Sequence, residues 1–168
     1  MNNFSYLVYE DYDREEYEKH IAAIKAKRPH KRYYDTIGIG HTFGNLPTPR
    51  EGEFFRPLMD EYSIPYWVSN MGYIYSSMSG KILRMDKRKD GYVIVHLQDP
   101  DYKSVPKYLH LIVADNFVPK PESDEPLEVD HKDGNKSNNS ADNLEWVTHA
   151  ENMRRAKVRQ AANKDVSN

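Results

Sequence analysis

The residues with the clearest chemical potential lie between Asp130 and Asn152. A carboxylate, Asp130, directly precedes an imidazole, His131, and two side-chain amides follow at Asn143 and Asn152. A neutral imidazole, whose ordinary pKa is about 6.5, can accept a proton from water near pH 7. Carboxylate and amide oxygens are ligands that Mg²⁺ or Mn²⁺ prefers. Together these groups would suit metal-assisted hydrolysis of a phosphodiester.

Two strands joined by a polar loop are predicted around the first of these groups. Residues 127–131 form one predicted strand and residues 143–147 a second, with Asp-Gly-Asn turn chemistry between them. Neighbouring side chains of an ideal strand point to opposite faces, so the strand must end or twist for Asp130 and His131 to reach one phosphate. Asn143 is expected to brace the loop by hydrogen bonds without touching a metal ion.

A helix is predicted to begin at His149. Thr148, followed three residues later by Glu151, forms the signature of a capping box. The helix would place Asn152 in its first turn, where the partial positive charge of the helix N-terminus also favours a phosphate. The strands and this helix together predict a ββα unit.

A calcium-binding loop is the competing interpretation of the Asp-Gly-Asn segment. With Gly134 at the sixth loop position, positions one, three and twelve would be Val129, His131 and Ser140. These residues lack the acidic ligands that such a loop needs, so the interpretation is rejected. Each candidate base or ligand could still be an ordinary surface or capping residue.

Charge is distributed unevenly along the chain, although the net charge is only -2. Residues 81–107 carry seven basic and four acidic side chains, and residues 151–168 carry five and two. Residues 122–145 carry eight acidic and two basic side chains. An acidic centre between basic segments suits a cation site beside a polyanion, and solvated surface is the alternative.

Candidate phosphate contacts lie in or near the two basic segments. Lys87-Arg88-Lys89 occupies a predicted hairpin connection, while Arg155 and Arg159 share a helical face with Asn152. Each group could instead be solvated surface or, on the helix, could complement its dipole. The full set of candidates is Arg84, Lys87, Arg88, Lys89, Lys107, Arg155 and Arg159.

Composition limits the kind of protein and the kind of metal site. Among the 168 residues, 38% are hydrophobic and none is cysteine, which excludes disulfides and thiolate zinc sites. No apolar run approaches the roughly 18 residues that a membrane-spanning helix needs, and no signal peptide is recognisable. A soluble cytoplasmic protein is expected, and any metal ion should be held by oxygen or imidazole ligands.

Three parts are predicted along the chain, in an α+β arrangement. Residues 1–50 form an N-terminal extension in which a helix stops before Pro29 and an irregular linker follows. Residues 51–105 form a small antiparallel β-sheet module, and residues 106–168 hold the ββα unit and a basic C-terminal helix. The predicted β runs span residues 66–68, 73–75, 82–84 and 92–97, and a further run ends near His110.

Two hydrophobic patterns indicate how the middle of the chain packs. Residues 92–97 alternate in character, so the strand should offer one face to a core. Apolar residues at positions 109, 112, 113 and 117 are spaced for a short helix that ends before Pro119.

These motifs resemble the HNH nucleases, specifically the cysteine-free branch of phage and intron homing endonucleases. The resemblance is carried by Val129-Asp130-His131, Asp133-Gly134-Asn135, residues 143–148 and Glu151-Asn152, in order and spacing. Residues 66–74, with 80–83 and 91–93, resemble the small β module that commonly precedes this nuclease domain and binds DNA. Residues 109–119 resemble the segment that joins the two.

The resemblance implies a fold, a reaction and a partner. The fold would be a small antiparallel β module followed by a ββα-metal nuclease domain. His131 would be the general base, Asp130 and Asn152 would hold one divalent cation, and Asn143 would brace the loop. The implied cation is Mg²⁺ or Mn²⁺ rather than zinc, and the implied function is site-specific hydrolysis of double-stranded DNA, with one or both strands cut. A single HNH unit in the chain favours nicking by a monomer. A catalytically inactive DNA-binding protein and a structural metal-binding protein are the alternatives.

Overall fold

The computed structural model describes residues 49–58, 62, 66–76, 79–99, 101 and 103–165. The helix predicted before Pro29 and most of the linker up to Arg50 lie outside the described residues. The described residues form the β module and the ββα unit. No helix in these residues is long and apolar enough to cross a membrane.

The first part of the β module is a four-stranded antiparallel sheet with its strands in chain order. All four residues of its second strand are buried, and Trp67 and Val68 are fully so. Burial on both faces removes the alternation that a half-exposed strand would show. The strands are β1 (Phe55–Leu58), β2 (Tyr66–Ser69), β3 (Tyr73–Ser76) and β4 (Lys81–Ile82).

The second part of the module is a separate three-stranded antiparallel sheet, so the prediction of one small sheet was incomplete. Its strands are β5 (Met85–Lys87), β6 (Val93–Gln98) and β7 (Ser104–Tyr108). The predicted run over residues 82–84 divides here, because β4 pairs with β3 while β5 pairs with β6, and Arg84 lies between them. The alternation predicted along β6 is confirmed, since Val95 and Leu97 are buried and His96 is exposed.

The ββα unit follows a short helix, as predicted. Helix α1 (Leu109–Phe117) begins directly after β7, so the run expected to end near His110 stops at Tyr108 and His110 is helical. Strand β8 (Leu127–His131) pairs antiparallel with β9 (Leu144–Thr148), and α2 (His149–Asp165) begins at the predicted residue. A single turn of 3-10 helix (Ala141–Asn143) precedes β9, so Asn143 lies just outside the strand.

One hydrophobic cluster joins the β module to the ββα unit. It contains Val68 of β2, Val95 of β6 and Val113 of α1, together with Val129 of β8 and Leu144 of β9. The predicted boundary between residues 105 and 106 falls inside β7. The two sheets, α1 and the hairpin are therefore packed as one body, which fixes the loop after β8 against the module.

Candidate active site

Asp130 and His131 end strand β8, and both are buried, with 6% and 3% of their surfaces exposed. The ladder stays regular to the last residue, because His131 is paired with Leu144. Consecutive side chains therefore point to opposite faces of the hairpin. The strand ends only after His131, so the end or twist that was expected to bring both side chains to one phosphate is not observed. Asp130 contacts helix α2, whereas His131 contacts the loop and the β module.

Asp130 is held by arginines of α2. Arg159 donates two hydrogen bonds to its carboxylate, at 3.0 and 2.8 Å, and Arg155 Nη1 lies 3.5 Å from Oδ2. Arg155 also donates to Glu145 and Glu151, each at 2.7 Å. The bond to Asp130 raises the pKa of the Arg159 guanidinium. Both arginines that were predicted to bind phosphate thus form ion pairs within the protein in this structure.

Asn152 lies in the first turn of α2 and bonds to a neighbour of Asp130. Its Nδ2 donates to Glu128 Oε2 at 2.8 Å, and Glu128 Oε1 lies 2.8 Å from His149 Nδ1. These contacts, with the bond from Asn152 as the largest cause, lower the pKa of Glu128. Glu128 and Asp130 are two residues apart on β8 and share the face toward α2. Sequence reasoning missed Glu128, although this alternation was a usable signal.

The groups on this face fit a hydrated Mg²⁺ or Mn²⁺ by their chemistry. Asp130 offers a carboxylate, Asn152 has an amide oxygen in addition to the Nδ2 that bonds Glu128, and no thiolate is present. Mg²⁺ commonly uses one or two carboxylates and keeps several waters, so a complete protein cage is not required. Among the described residues, no three His, Cys, Asp or Glu side chains are grouped to hold an ion. The guanidinium of Arg159 already places positive charge beside Asp130.

His131 faces the rings of Tyr92, directly before β6, and of His110 in α1. Its ring centroid lies 5.2 Å from that of His110 and 6.1 Å from that of Tyr92. Tyr92 stacks on His110 at 4.9 Å with 28° between the ring planes, and Lys136 Nζ lies 4.1 Å from the centre of the Tyr92 ring. On the loop side, His131 Nε2 lies 3.1 Å from Asn139 Oδ1.

His110 is a buried histidine to which sequence reasoning gave no role. Burial lowers its pKa to about 4, with smaller contributions from His131 and Lys136. Within the part of the chain that the structure describes, its Nδ1 atom is buried and has no hydrogen-bond partner. Since the ring is neutral at physiological pH, it adds no positive charge beside His131. Only the run of nearby aromatic residues could have signalled this cluster.

Asn143 joins the two ends of the loop between β8 and β9. Its Oδ1 accepts from the Asp133 amide at 3.1 Å, and its Nδ2 donates to Asp133 Oδ1 and to the Asn138 carbonyl, each at 2.9 Å. Its own carbonyl accepts from the Lys132 amide at 2.8 Å. Asn143 therefore links the beginning, the middle and the end of the loop that follows His131.

Four of the basic candidates of the β module are exposed in or beside β5, whereas Lys107 of β7 is half-buried. Arg84 and Arg88 form exposed ion pairs with Asp86 and Asp90, at 3.0 and 3.2 Å. Lys87 and Lys89 are exposed. Lys107, on β7, has its Nζ 6.0 Å from the centre of the Tyr62 ring. Exposed ion pairs contribute little free energy, so a phosphate could replace the carboxylates at low cost.

Comparison with known families divides the described chain into two adjacent parts. Residues 107–154 match the family model described as HNH endonuclease, and residues 53–98 match the NUMOD4 motif. The chain contains an HNH endonuclease domain. The HNH domain spans α1, the β8–β9 hairpin and the first turns of α2, and the NUMOD4 motif spans β1 to β6.

The relatives of this HNH domain include phage homing endonucleases. The DNA endonuclease I-HmuI of Bacillus phage SP01 is 45% identical over 92 residues, which cover 55% of this chain and 51% of the relative. The H-N-H endonuclease F-TflII of Escherichia phage T5 is 40% identical over 83 residues, which cover 49% and 42%. The chain therefore spans about half, or less, of the length of these relatives.

A solved structure shows the same fold. The structure of DNA binding and cleavage by the HNH homing endonuclease I-HmuI matches with a TM-score of 0.51 and 38% sequence identity. The match covers 61% of this chain and 59% of that one. The predicted resemblance to HNH homing endonucleases, and the α+β fold with a ββα unit, are confirmed.

Proposed function

We propose that this chain is a metal-dependent DNA endonuclease of homing type that nicks double-stranded DNA at a specific site. One observation carries the proposal: a buried His131 and a buried Asp130 end β8 inside a segment that matches the HNH endonuclease family. The relatives at 40% and 45% identity, named as endonucleases, support the same reaction. Such an enzyme would act as a monomer in the cytoplasm of a bacterial host.

In this mechanism, His131 accepts the proton of the water that attacks the phosphorus atom. Burial keeps the ring away from competing solvent, and the loop tied by Asn143 keeps it at a fixed geometry. Asp130 and Asn152 would hold one Mg²⁺ or Mn²⁺. When bound, the cation would stabilise the pentavalent phosphate and the leaving 3′ oxygen. The expected products carry a 5′ phosphate and a 3′ hydroxyl.

DNA would lie across the β module and the face of α2 that carries Arg155 and Arg159. Arg84, Lys87, Arg88, Lys89 and Lys107 supply positive charge around the β5–β6 turn and β7. Arg155 and Arg159 would contact the backbone near the cleaved bond after leaving their carboxylate partners. Contacts of this kind position the duplex and carry no sequence information by themselves.

The decisive experiment is cleavage of supercoiled DNA that contains the genomic sequence flanking the gene. A nick that requires Mg²⁺ or Mn²⁺ is expected from the unaltered protein, with a loss of about 10²–10⁴-fold in rate for His131→Ala. His96→Ala, which removes an exposed histidine of β6, is the matched control and should cut normally. Undiminished cutting by His131→Ala would contradict the proposal.

The contribution of the basic surface is tested by the salt dependence of binding. Replacing Lys87 or Lys89 with alanine should weaken binding to all sequences and reduce the slope of log K against log salt by about 1 for each lysine. Lys157→Ala, an exposed lysine of α2 outside the predicted contacts, is the control. An unchanged slope in both lysine variants would remove the β5–β6 turn from the interface.

An inactive DNA-binding protein is the second candidate, favoured by one contact. Both carboxylate oxygens of Asp130, the predicted metal ligand, accept bonds from Arg159. If Arg159 blocks the cation permanently, the protein should bind DNA in a salt-sensitive manner and cut none of it under either metal. Nicking by the unaltered protein would exclude this candidate.

A further inference from the structure

Asn139, in the loop before β9, is buried, with 5% of its surface exposed. Its Oδ1 lies 3.1 Å from His131 Nε2, and its Nδ2 donates to the Ser137 carbonyl at 3.3 Å. A carbonyl can only accept, so this second bond sets which end of the amide faces the histidine. The oxygen faces His131, and Nε2 must therefore be the ring nitrogen that carries the proton. In the neutral ring, the free electron pair is then at Nδ1.

The β module also contacts the backbone of Asn139. The turn between β2 and β3 reaches the loop at Gly72, whose φ of +83° is in the left-handed region. A Cβ at Gly72 would lie 2.9 Å from the backbone carbon and oxygen of Asn139. Next to this contact, the Ala141 amide donates to the Asn70 carbonyl at 2.7 Å. Only glycine allows the two backbones to approach so closely.

The turn that makes these contacts is itself hydrogen-bonded to the segment directly before β1. The Asn70 side chain accepts from the Phe54 amide at 2.8 Å and donates to the Gly52 carbonyl at 2.9 Å. Beneath the turn, Ser69 Oγ donates to Glu53 Oε1 at 2.5 Å, and both residues are buried. The β2–β3 turn is thus a firm support for the loop.

We propose that Asn139 is a positioning residue for His131 and that the β2–β3 turn of the NUMOD4 motif clamps it in place. The proposal rests on the proposed function only in taking His131 as the general base. Asn139 selects the tautomer with Nδ1 as the accepting atom and fixes the ring plane. The NUMOD4 motif then contributes to the geometry of the reaction as well as to any binding of DNA.

The direct test is the imidazole ¹⁵N spectrum of His131 at pH 8, assigned with His131→Gln. The unaltered protein should show a protonated Nε2 and an unprotonated Nδ1. Asn139→Leu, which keeps the size but removes the acceptor, should give a mixture of tautomers. Asn139→Asp keeps an acceptor oxygen and should retain the original tautomer, as should Ser123→Ala, which removes an exposed hydrogen bond outside this loop. An unchanged tautomer in Asn139→Leu would overturn the proposal.

The clamp is tested with a matched pair of glycine substitutions. Gly72→Ala combines a strained φ with the clash at Asn139, whereas Gly80→Ala has a similar φ of +64° and only an ordinary contact of 3.7 Å with Tyr75. The His131 spectrum should change in Gly72→Ala and stay the same in Gly80→Ala. If Gly72→Ala and Gly80→Ala both fold and give the same His131 spectrum, the β2–β3 turn does not hold Asn139 in place. If Gly72→Ala does not fold, Asn70→Ala, which removes both side-chain bonds from the turn to the segment before β1, replaces it with the same expected change.

Kinetics separate this proposal from the proposed function. On a cleavable DNA, Asn139→Leu should lower kcat by about 10–100-fold with KM unchanged, because it misplaces a base without altering binding. A rise in KM of the same size, with kcat unchanged, would contradict a positioning role. If the tautomer responds as expected but no protein cuts DNA, the positioning stands and the nuclease proposal fails. If DNA is cut and the tautomer never responds, the positioning fails alone.

Discussion

Strands β2 and β8 are both buried, but they bury different chemistry. In β2, removal of the apolar surface of the fully buried Trp67 and Val68 from water stabilises the strand, and only its last residue, Ser69, is a buried polar residue paired with another, Glu53. The last three residues of β8 are equally buried, yet two of them are Asp130 and His131. Each of these polar side chains needs a specific partner, because burial without one costs free energy.

The apolar side chains of β2 need a space of suitable volume, whereas the polar side chains of β8 need specific hydrogen-bond partners. Many apolar side chains could fill the space beneath β2, since packing is non-directional. The partners of β8 are individual groups at fixed distances, Arg159 for Asp130 and Asn139 for His131. The region that would do the chemistry therefore depends on hydrogen bonds, and the region that supports it depends on volume. Substitutions in the two strands should consequently differ in size and in their response to pH and metal.

The largest effect is expected in the apolar strand. Trp67→Ala should lower the free energy of unfolding by about 3–5 kcal/mol, because it removes a fully buried aromatic side chain and leaves a cavity. Urea unfolding followed by circular dichroism measures the change. Phe54→Ala, at a position with 44% exposure, is the control and should cost far less. A loss below about 1 kcal/mol for Trp67→Ala would mean that β2 is not sustained by packing.

The next effect concerns the buried His110 beside His131. Its pKa of about 4 in the folded chain lies below the unfolded value of about 6.5, so between these values only the unfolded state binds the proton. Stability should fall as the pH decreases, by about 2 kcal/mol between pH 7 and pH 5 from this residue.

Urea unfolding at the two pH values checks this contribution of His110. His110→Gln should lose the part of the pH dependence that belongs to the buried ring, and the exposed His96→Gln should keep the wild-type dependence. Identical pH dependence in all three proteins would show that burial of the ring has no energetic consequence. The contrast between polar and apolar burial would then not apply to His110 and the rings beside it.

Removal of Arg159 tests whether the carboxylate of β8 needs its partner. Arg159→Ala should cost about 1–2 kcal/mol without metal, because Asp130 stays buried while Arg155 still partly compensates its charge. Added Mg²⁺ should then raise the melting temperature of the variant more than that of the unaltered protein. Arg154→Ala removes an exposed ion pair and should change neither quantity noticeably. An equal response to Mg²⁺ in both proteins would show that Arg159 and the cation do not compete for Asp130.

The smallest effect is expected at the start of α2. Thr148→Ala removes the bond from the Glu151 amide to Thr148 Oγ1, at 3.3 Å, and should cost about 0.5–1 kcal/mol. Hydrogen exchange should accelerate at the Glu151 amide more than in the middle of the helix. Thr148→Ser keeps the hydroxyl and serves as the control. If the Glu151 amide exchanges at the same rate in the alanine and serine variants, the Thr148 hydroxyl does not help to place Asn152.

The sequence predicted those parts of the site that depend on neighbours along the chain. Turn residues, strand alternation and the capping box act over a few positions, so β8, the loop and the start of α2 at His149 were predicted correctly. The short helix from Leu109 was predicted for the same reason. The division of the β module into two sheets was missed, because pairing partners are chosen by tertiary packing and not by the pattern of one strand.

The sequence by itself determined which groups could act and their order along β8, the loop and α2. Only the tertiary structure decided what each side chain meets. Arg159, 29 positions along the chain, bonds to Asp130, and His110 comes to lie beside His131. Gly72 of the NUMOD4 motif reaches Asn139 across the interface. Contacts between distant segments arise from the packing of whole elements around one core, and no local pattern encodes them.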